Sequence, residues 1–415
     1  MTLDQGIGRD AQAAGAPEDL VRSAGPNRSV GLSLAALALG GFAIGTTEFA
    51  TMGILPLVAS DLHATIPAAG HLISAYALGV VVGAPLAAVA AARMERRKLL
   101  LLLMAAFTLG NLVSAIAGSF SLLLIARFAS GLPHGAYFGI AAVVAASLVP
   151  PERKARAVAR VMLGLTVANI LGVPLSTFLG QSLGWRSTYV TVTVIGALTL
   201  LALLYAVPRI EAHQDASPRQ ELRALQQSQV WLTLLIGAIG FGGLFAVYSY
   251  IAPTMTTVSG LSVGSVPLVL AVFGVGMTIG TLVGGRLADW SLDRSIAIGL
   301  ALTTVVLISF ALTAHIAALA VLLVFLLGAT GALMTPALQT RLMDVAPEGP
   351  SLAATMNHSA LNLANAMGAF LGGLVIAAGY GYTAPALVGA VLAIAGLGVL
   401  AVAVLVGRRQ RVAAA

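Results

Sequence analysis

The sequence predicts an all-α membrane protein with twelve transmembrane helices arranged as two six-helix repeats. Three observations predict this fold class: an apolar composition, twelve apolar segments of membrane-spanning length, and self-similarity at a fixed offset. Of the 415 residues, 59% are hydrophobic and 9% are charged, and the mean hydropathy is +0.97, far from that of a soluble domain. The chain has no cysteine, which excludes disulfides, thiolate metal sites and cysteine nucleophiles.

A transmembrane helix needs about 20 predominantly apolar residues, and twelve segments satisfy this requirement. The predicted spans are 31–58, 68–92, 98–117, 121–148, 156–181, 186–207, 229–255, 264–288, 294–313, 316–343, 351–378 and 383–406. The residues before the first span are polar and of mixed charge, without a short apolar core and cleavage site. We therefore expect a cytoplasmic tail there rather than a signal peptide.

The connections between spans are short except for the one that divides the chain into two sets of six. The predicted organisation is a cytoplasmic N-terminal tail (1–29), an N-terminal six-helix bundle (30–207), a cytoplasmic linker (208–228), a C-terminal six-helix bundle (229–407) and a cytoplasmic tail (408–415). With both termini in the cytoplasm, 20 of the 22 basic residues fall on the inside, and Arg127 and Arg186 do not. The net charge of +7 is thus a topology signal, and we expect no nucleic-acid partner.

An internal repeat is visible at an offset of 196 to 197 residues. The string from Ala168 to Gly172 aligns with that from Ala364 to Gly368, and Gly83 aligns with Gly280. Self-similarity at a fixed offset indicates a duplicated structural unit. Two parallel six-helix repeats place a substrate site between the halves, near the membrane midplane.

Glu48 is the only ionisable residue between Val30 and Ser60, and a carboxylate at bilayer depth indicates function by default. Helix 4 runs antiparallel to helix 1, so Arg127 is predicted at a similar depth and within reach of pairing. Burial favours the neutral carboxyl and a guanidinium favours the carboxylate, so movement between them changes proton affinity. The alternative interpretation is a static buried ion pair that fixes helix packing.

Helix 4 also places Arg127, Gly131 and His134 on one face, with Gly135 one turn beyond Gly131. Small residues allow another helix to approach closely. His134 is a candidate proton relay near neutral pH, or a neutral histidine that is hydrogen-bonded between helices. Both interpretations remain open.

Several strings together resemble one family. They are Gly45–Phe49 with Met52–Gly53, Ile66–His71 leading to Tyr76–Gly79, Arg127 with Gly131, His134 and Gly135, and Thr166–Asn169 with Gly172, Pro174 and Gly184–Arg186. The chain resembles the major facilitator superfamily, specifically its twelve-helix drug/proton antiporters and, among them, the arabinose-inducible and sugar-efflux permeases. The resemblance covers roughly residues 31–407.

The resemblance implies roles for particular residues. Glu48 takes the role of the helix 1 acid that handles protons, and Arg127 that of the helix 4 arginine. Gly172 and Pro174 match a helix 5 motif of exporters, a pivot or seal between the halves, although a merely kinked packing helix gives the same sequence. Gly285, Asp289 and Arg294 match the cytoplasmic gating motif between helices 8 and 9.

Polar and aromatic side chains of helices 5, 7 and 11 are the substrate-binding candidates. The polar candidates are Asn169, His358, Asn362 and Asn365, and the aromatic candidates are Phe241, Phe245, Tyr248 and Tyr250. Facing a cavity, amides hydrogen-bond a polar solute and aromatic rings stack on a sugar or a drug. The alternatives are interhelical hydrogen bonds and rings that face lipid or the core.

The predicted function is proton-coupled efflux of small molecules, sugars or drugs such as chloramphenicol, across the inner membrane by alternating access. No cofactor is expected, because the proton gradient supplies the energy, and the predicted partners are the lipid bilayer, a small-molecule substrate and protons. We expect a monomer and not an enzyme, since the spans hold no carboxylate dyad, metal cluster or plausible nucleophile. A facilitator or importer of a small polar solute and a non-transporting membrane sensor are the alternatives.

Overall fold

The computed structural model describes residues 29–91, 94–150, 153–210, 224–346 and 350–414, and every secondary-structure element in them is helical. Twelve helices of these described residues are long and apolar enough to cross a membrane. They are α1 (Val30–Asp61), α2 (Ile66–Ala91), α3 (Arg96–Ile116), α4 (Phe120–Ser147), α5 (Arg156–Leu183), α6 (Arg186–Ala206), α7 (Ser228–Tyr248), α8 (Val263–Trp290), α9 (Leu292–Thr313), α10 (Ala317–Asp344), α11 (Pro350–Ala377) and α12 (Ala384–Ala414). The predicted fold class is therefore confirmed. The predicted spans agree with the helices to within a few residues, except that α7 ends at Tyr248 and a separate short helix, Ile251–Thr257, follows it.

Parts of the predicted tails and linker lie outside the described residues, namely 1–28, 211–223 and 415. An even number of spans separates the start of α1 from the end of α12, so both lie on one face of the bundle. We call this the terminal face, and the opposite face the far face. Odd-numbered helices run from the terminal face to the far face, and even-numbered helices return.

Close glycine packing gives the two halves the same internal construction. A Cβ on Gly83 of α2 would overlap the carbonyl oxygen of Leu132 in α4. At the matching place in the second half, a Cβ on Gly280 of α8 would overlap the carbonyl oxygen of Ala329 in α10. The sequence match of Gly83 with Gly280 therefore marks the same helix contact in both halves.

We expect Gly83→Ala to lower the free energy of unfolding by roughly 1–3 kcal/mol, the usual cost of overpacking. The Leu132 carbonyl belongs to a helix backbone and cannot move aside as a flexible side chain does. The matched control is Gly398→Ala in α12, where nothing lies within 4 Å of the new methyl group. Thermal unfolding of both variants in detergent checks this, and equal stability of the two would contradict the backbone contact.

Four of the twelve helices are interrupted near the middle of the membrane. The α-helical path of α4 breaks between Gly131 and His134, α7 breaks at Phe241, and α10 breaks at Met334. In α5 a π-helical turn spans Ala168–Gly172. Such turns and prolines free backbone groups and change the direction of side chains, so these four helices present irregular backbone inside the bundle.

The halves contact each other through α1 with the Ile251–Thr257 helix, α2 and α4 with α11, and α5 with α8. Phe49 of α1 also packs on Phe245 of α7. Ser74 Oγ of α2 donates to the Ala366 carbonyl of α11 at 3.0 Å. Towards the far face, Gln181 Nε2 donates to the Val263 carbonyl, also at 3.0 Å. These hydrogen bonds hold the far-face half of the interface together.

Candidate proton and substrate site

Glu48 lies midway along α1 and is the one buried carboxylate of the described residues, with 7% of its surface exposed. Across the N-terminal half, its Oε2 lies 4.0 Å from Nε2 of His134. His134 is 2% exposed. The structure thus brings two of the predicted proton-handling residues together.

Arg127 is fully buried but binds the neighbour of Glu48 instead of Glu48 itself. Its Nη1 donates to Thr47 Oγ1 at 3.1 Å and its Nη2 to the Thr47 carbonyl at 3.2 Å. The guanidinium lies 4.3 Å from the ring centroid of Tyr76, a cation–π contact. No hydrogen bond joins Arg127 to Glu48 in the described structure, although they are close enough to interact electrostatically.

Thr47 and Tyr76 are the partners that sequence reasoning missed. Thr47 Oγ1, while accepting from Arg127, donates to Asn111 Oδ1 at 2.6 Å. Tyr76 places its hydroxyl 3.1 Å from Nδ1 of His134. Both lie in strings that carry the family resemblance, so the signal was present without an assigned role.

His134 and His358 meet across the two halves of the protein. Their ring centroids are 6.4 Å apart, and His358 stacks on Phe138 of α4 with centroids 5.6 Å apart and rings 5° from parallel. His358, predicted as a substrate ligand, therefore lies beside the proton-handling group. Its position on α11 makes it part of the contact between α4 and α11.

The predicted aromatic residues fall into two groups. Phe245 and Tyr248 of α7 pack on Phe49 of α1, with ring centroids 6.4 and 5.8 Å apart. Tyr250 lies apart from them, because its hydroxyl donates to the Ala369 carbonyl at 2.7 Å and adjoins Gly70 of α2. The first group adjoins Glu48, whereas Tyr250, which follows the end of α7, contacts α2 and α11.

Phe241 is 5% exposed and occupies the break in α7, so it belongs to the irregular backbone of that helix. The ring of Tyr248 stacks on Phe273 of α8 with centroids 3.8 Å apart. One face of the Tyr248 ring is therefore covered by Phe273, and Phe49 of α1 lies on another side of the ring.

The three predicted asparagines are buried and carry polar atoms without a partner. Neither side-chain atom of Asn365 has one, and Oδ1 lacks one in Asn169 and Asn362. The amide nitrogen of Asn169 donates to the Leu165 carbonyl, and that of Asn362 to the His358 carbonyl. Buried polar atoms usually find a partner, so these amides are suited to a bound polar molecule.

The predicted glycines of α4 and α5 lie in tight helix contacts. A Cβ on Gly131 would overlap the Tyr76 carbonyl oxygen, and one on Gly135 would come within 3.0 Å of the Ala84 methyl group. A Cβ on Gly172 would overlap the hydroxyl of Thr46. Pro174 follows the π-helical turn of α5 at the start of its next α-helical piece.

The residues of the predicted gating motif lie at the terminal-face end of α8 and the start of α9. Asp289 and Arg294 are exposed, Arg294 lies over the ring of Trp290 at 4.9 Å, and nothing lies within 4 Å of a Cβ on Gly285. The ion pair at this end joins Asp293 of α9 to Arg341 of α10.

Arg341 also connects two of its neighbours in the C-terminal half. Its Nε donates to Thr233 Oγ1 at 3.2 Å and its Nη2 to Gln229 Oε1 at 3.3 Å. The cluster of Asp293, Arg341, Thr233 and Gln229 joins α7, α9 and α10 on the terminal side. It holds one half together and does not bridge the two.

We expect Asp293→Asn to destabilise the protein by about 1–2 kcal/mol, because it removes a negative charge that pairs with the largely buried guanidinium of Arg341. This loss of stability is smaller than for a fully buried ion pair, because the Asp293 side chain is 42% exposed and solvent screens its charge. Asp289→Asn, the matched control four residues earlier, is expected to change stability by less than about 0.5 kcal/mol. Thermal unfolding distinguishes them, and a larger effect at Asp289 than at Asp293 would contradict the ion pair between Asp293 and Arg341.

A sequence profile of the Major Facilitator Superfamily matches residues 37–357 and 260–414. The chain belongs to the Major Facilitator Superfamily. This membership confirms the predicted family and makes the protein a membrane transporter rather than an enzyme. The duplicated glycine contacts described above are the structural basis of its two six-helix repeats.

Within the Major Facilitator Superfamily, the chain is similar to bacterial transporters along most of its length. It is 42% identical to the inner membrane transport protein YdhP of Escherichia coli K12, covering 89% of this chain and 94% of YdhP. It is 34% identical to the putative transporter AraJ of the same strain, covering 91% and 96% of the two chains. It is 36% identical to a chloramphenicol resistance protein of Streptomyces lividans, covering 85% and 90%.

Proposed function

We propose that this transporter exports small molecules across the bacterial inner membrane in exchange for protons, by alternating access. The observation that carries the proposal is the burial of Glu48 at mid-membrane, beside His134 and next to the interface of the halves. A carboxylate at that depth is costly unless it is neutralised or compensated. Gain and loss of a proton therefore change the stability of the conformation that buries it.

The neighbours of Glu48 supply the link between its charge and the movement of the halves. Phe49, adjacent in sequence, packs on Phe245 and Tyr248 of the other half. Rocking of one half against the other changes these contacts and the surroundings of Glu48 together. Proton binding and alternating access then depend on the same conformational equilibrium between the two halves.

The proposed substrates combine polar groups with an apolar or aromatic face, as sugars and drugs such as chloramphenicol do. The unpartnered amides of Asn365, Asn362 and Asn169 offer donors and acceptors, and the rings of Phe245 and Tyr248 offer a stacking surface. The name of the Streptomyces chloramphenicol resistance protein supports the drug part of this range.

We further propose that the terminal face is cytoplasmic, because the Lys/Arg bias favours it. The name of YdhP supports placement in the inner membrane. The protein is proposed to act as a monomer, with the proton gradient in place of a cofactor.

The test is transport by purified protein in liposomes with an imposed pH gradient, using radiolabelled chloramphenicol and L-arabinose separately. Antiport predicts that one of them accumulates against its gradient and that a protonophore abolishes the accumulation. Equilibration without accumulation would indicate a facilitator, and no specific flux of either would contradict the proposed substrate range. Symport with the proton would show as accumulation in the opposite direction.

A further inference from the structure

We propose that His134 and His358 form a proton relay between Glu48 and the terminal face, and that separation of the two halves interrupts it. The inference rests on the proposed proton-coupled function and deepens it. It assigns His358 to proton transfer instead of substrate binding, and it makes the relay a contact between halves.

The three groups lie in sequence at increasing distance from the far face. At 1.5 Å per residue, Glu48 lies about 27 Å along α1 from its terminal-face start at Val30. On the same basis, His134 lies about 20 Å from the terminal-face end of α4 at Ser147, and His358 about 12 Å from the start of α11 at Pro350. The side chains therefore descend towards the terminal face in the order Glu48, His134, His358.

The separations suit stepwise proton transfer. Glu48 Oε2 and His134 Nε2 are 4.0 Å apart, so a side-chain adjustment of about 1 Å brings them to hydrogen-bonding distance. The ring centroids of His134 and His358 are 6.4 Å apart. One bridging water with two hydrogen bonds of about 2.9 Å each spans a gap of this order.

His358, the histidine nearer the terminal face, is more exposed than His134, as a relay that ends in solvent requires. His134 is 2% exposed, whereas His358 is partly exposed. The titratable and charged groups that face the pair are Glu48 from α1, Tyr76 from α2 and Arg127 from α4. Tyr76 holds Nδ1 of His134 and Arg127 is bound to Thr47, which leaves Nε2 of His134 directed to Glu48.

The relay moves one proton from Glu48 to the terminal side in successive transfers. The O–H bond of neutral Glu48 breaks and an N–H bond forms at His134 Nε2, giving a carboxylate and an imidazolium. The imidazolium returns to neutral imidazole by giving its Nδ1 proton to the Tyr76 hydroxyl, whose own proton passes through a bridging water to a ring nitrogen of His358. His358 loses a proton to water on the terminal side and is neutral again.

The relay is gated because its two histidines belong to different halves. His134 is fixed in the N-terminal half and His358 in the C-terminal half, where it stacks on Phe138 of α4. Movement that parts α4 from α11 lengthens the second step beyond one water. Glu48 then loses its path to the terminal face without any change in its own helix.

The experiment follows the infrared band of the protonated carboxyl group after a pH jump, using full-length protein in lipid nanodiscs. The band that disappears in Glu48→Gln reports Glu48. We expect His358→Gln to slow the change of this band at least tenfold while leaving its final amplitude unchanged. His315→Gln, an exposed histidine between α9 and α10, is the matched control and should leave the rate unchanged.

A second variant separates proton transfer from packing. In His358→Ala, added imidazole is expected to restore the rate, because a free imidazole carries protons but does not rebuild the stack on Phe138. An unchanged rate in His358→Gln, or a slowed rate in His358→Ala that imidazole does not restore, would overturn the relay while leaving Glu48 as the proton site. The absence of any Glu48-dependent band would overturn the proposed coupling site and the relay with it.

Discussion

Glu48→Gln is expected to reduce gradient-driven accumulation to the level of liposomes without protein. Glutamine preserves the size and the hydrogen-bonding ability of the side chain but removes the proton that couples transport to the gradient. Exchange of labelled for unlabelled substrate at equal concentrations is expected to continue, because it needs only the conformational change. The measurement is transport in paired liposome preparations, with and without a pH gradient.

The matched control for this variant is Asp344→Asn, which neutralises an exposed acid at the end of α10. It should accumulate substrate as the unmodified protein does. Full gradient-driven accumulation by Glu48→Gln would exclude Glu48 as the coupling residue. Loss of exchange as well as accumulation would indicate that Glu48 serves mainly to bind substrate, as a facilitator or importer requires.

Arg127→Lys is expected to lower the transport rate roughly tenfold or more. Arg127 makes two hydrogen bonds to Thr47 and lies over the Tyr76 ring, and lysine lacks both the planar fork and the flat face for this arrangement. Hydrogen bonds to charged groups contribute about 1.5–3 kcal/mol, and about 1.4 kcal/mol corresponds to tenfold. Initial transport rates at matched protein content provide the measurement.

Two further variants examine what Arg127 does. Thr47→Ala removes one of the two acceptors and should cause a smaller loss than Arg127→Lys. Exchange of the charges, Glu48→Arg with Arg127→Glu, is expected to remain inactive, because the guanidinium binds Thr47 and not Glu48. Recovery of activity in the exchanged protein would establish the direct ion pair that the structure lacks.

Apolar segment lengths and the glycine repeat are sufficient to predict the twelve helices and their grouping. Both features depend on composition along the chain: a span must be apolar to lie in lipid, and Gly83 and Gly280 mark backbone contacts that no larger residue fits. The burial of Glu48 could likewise be predicted, since it is the only ionisable group between Val30 and Ser60.

The partners within the site could not be predicted in the same way. Residue counting gives the depth of Glu48 and Arg127, but their contact depends on helix rotation, which packing against neighbours determines. Thr47 and Glu48 are adjacent in α1, and the rotation of this helix places Thr47 against Arg127 and Glu48 beside His134. At the terminal end, the pairing of Asp293 with Arg341 depends on tertiary packing in the same way.

The π-helical turn of α5 and the meeting of His134 with His358 are also products of tertiary packing. Gly172 and Pro174 indicate a bend in α5 but do not specify an extra residue in one helical turn. The contact between His134 and His358 joins residues in different halves, so no local pattern contains it.

The most direct test of the central claim is whether substrate binding displaces a proton from Glu48. Purified protein in weakly buffered solution is mixed with chloramphenicol or L-arabinose, and a pH indicator dye records proton release. Antiport through Glu48 predicts that the substrate which binds releases protons from the unmodified protein and none from Glu48→Gln that still binds it. Equal proton release from both proteins, or binding without release from the unmodified one, would contradict the account.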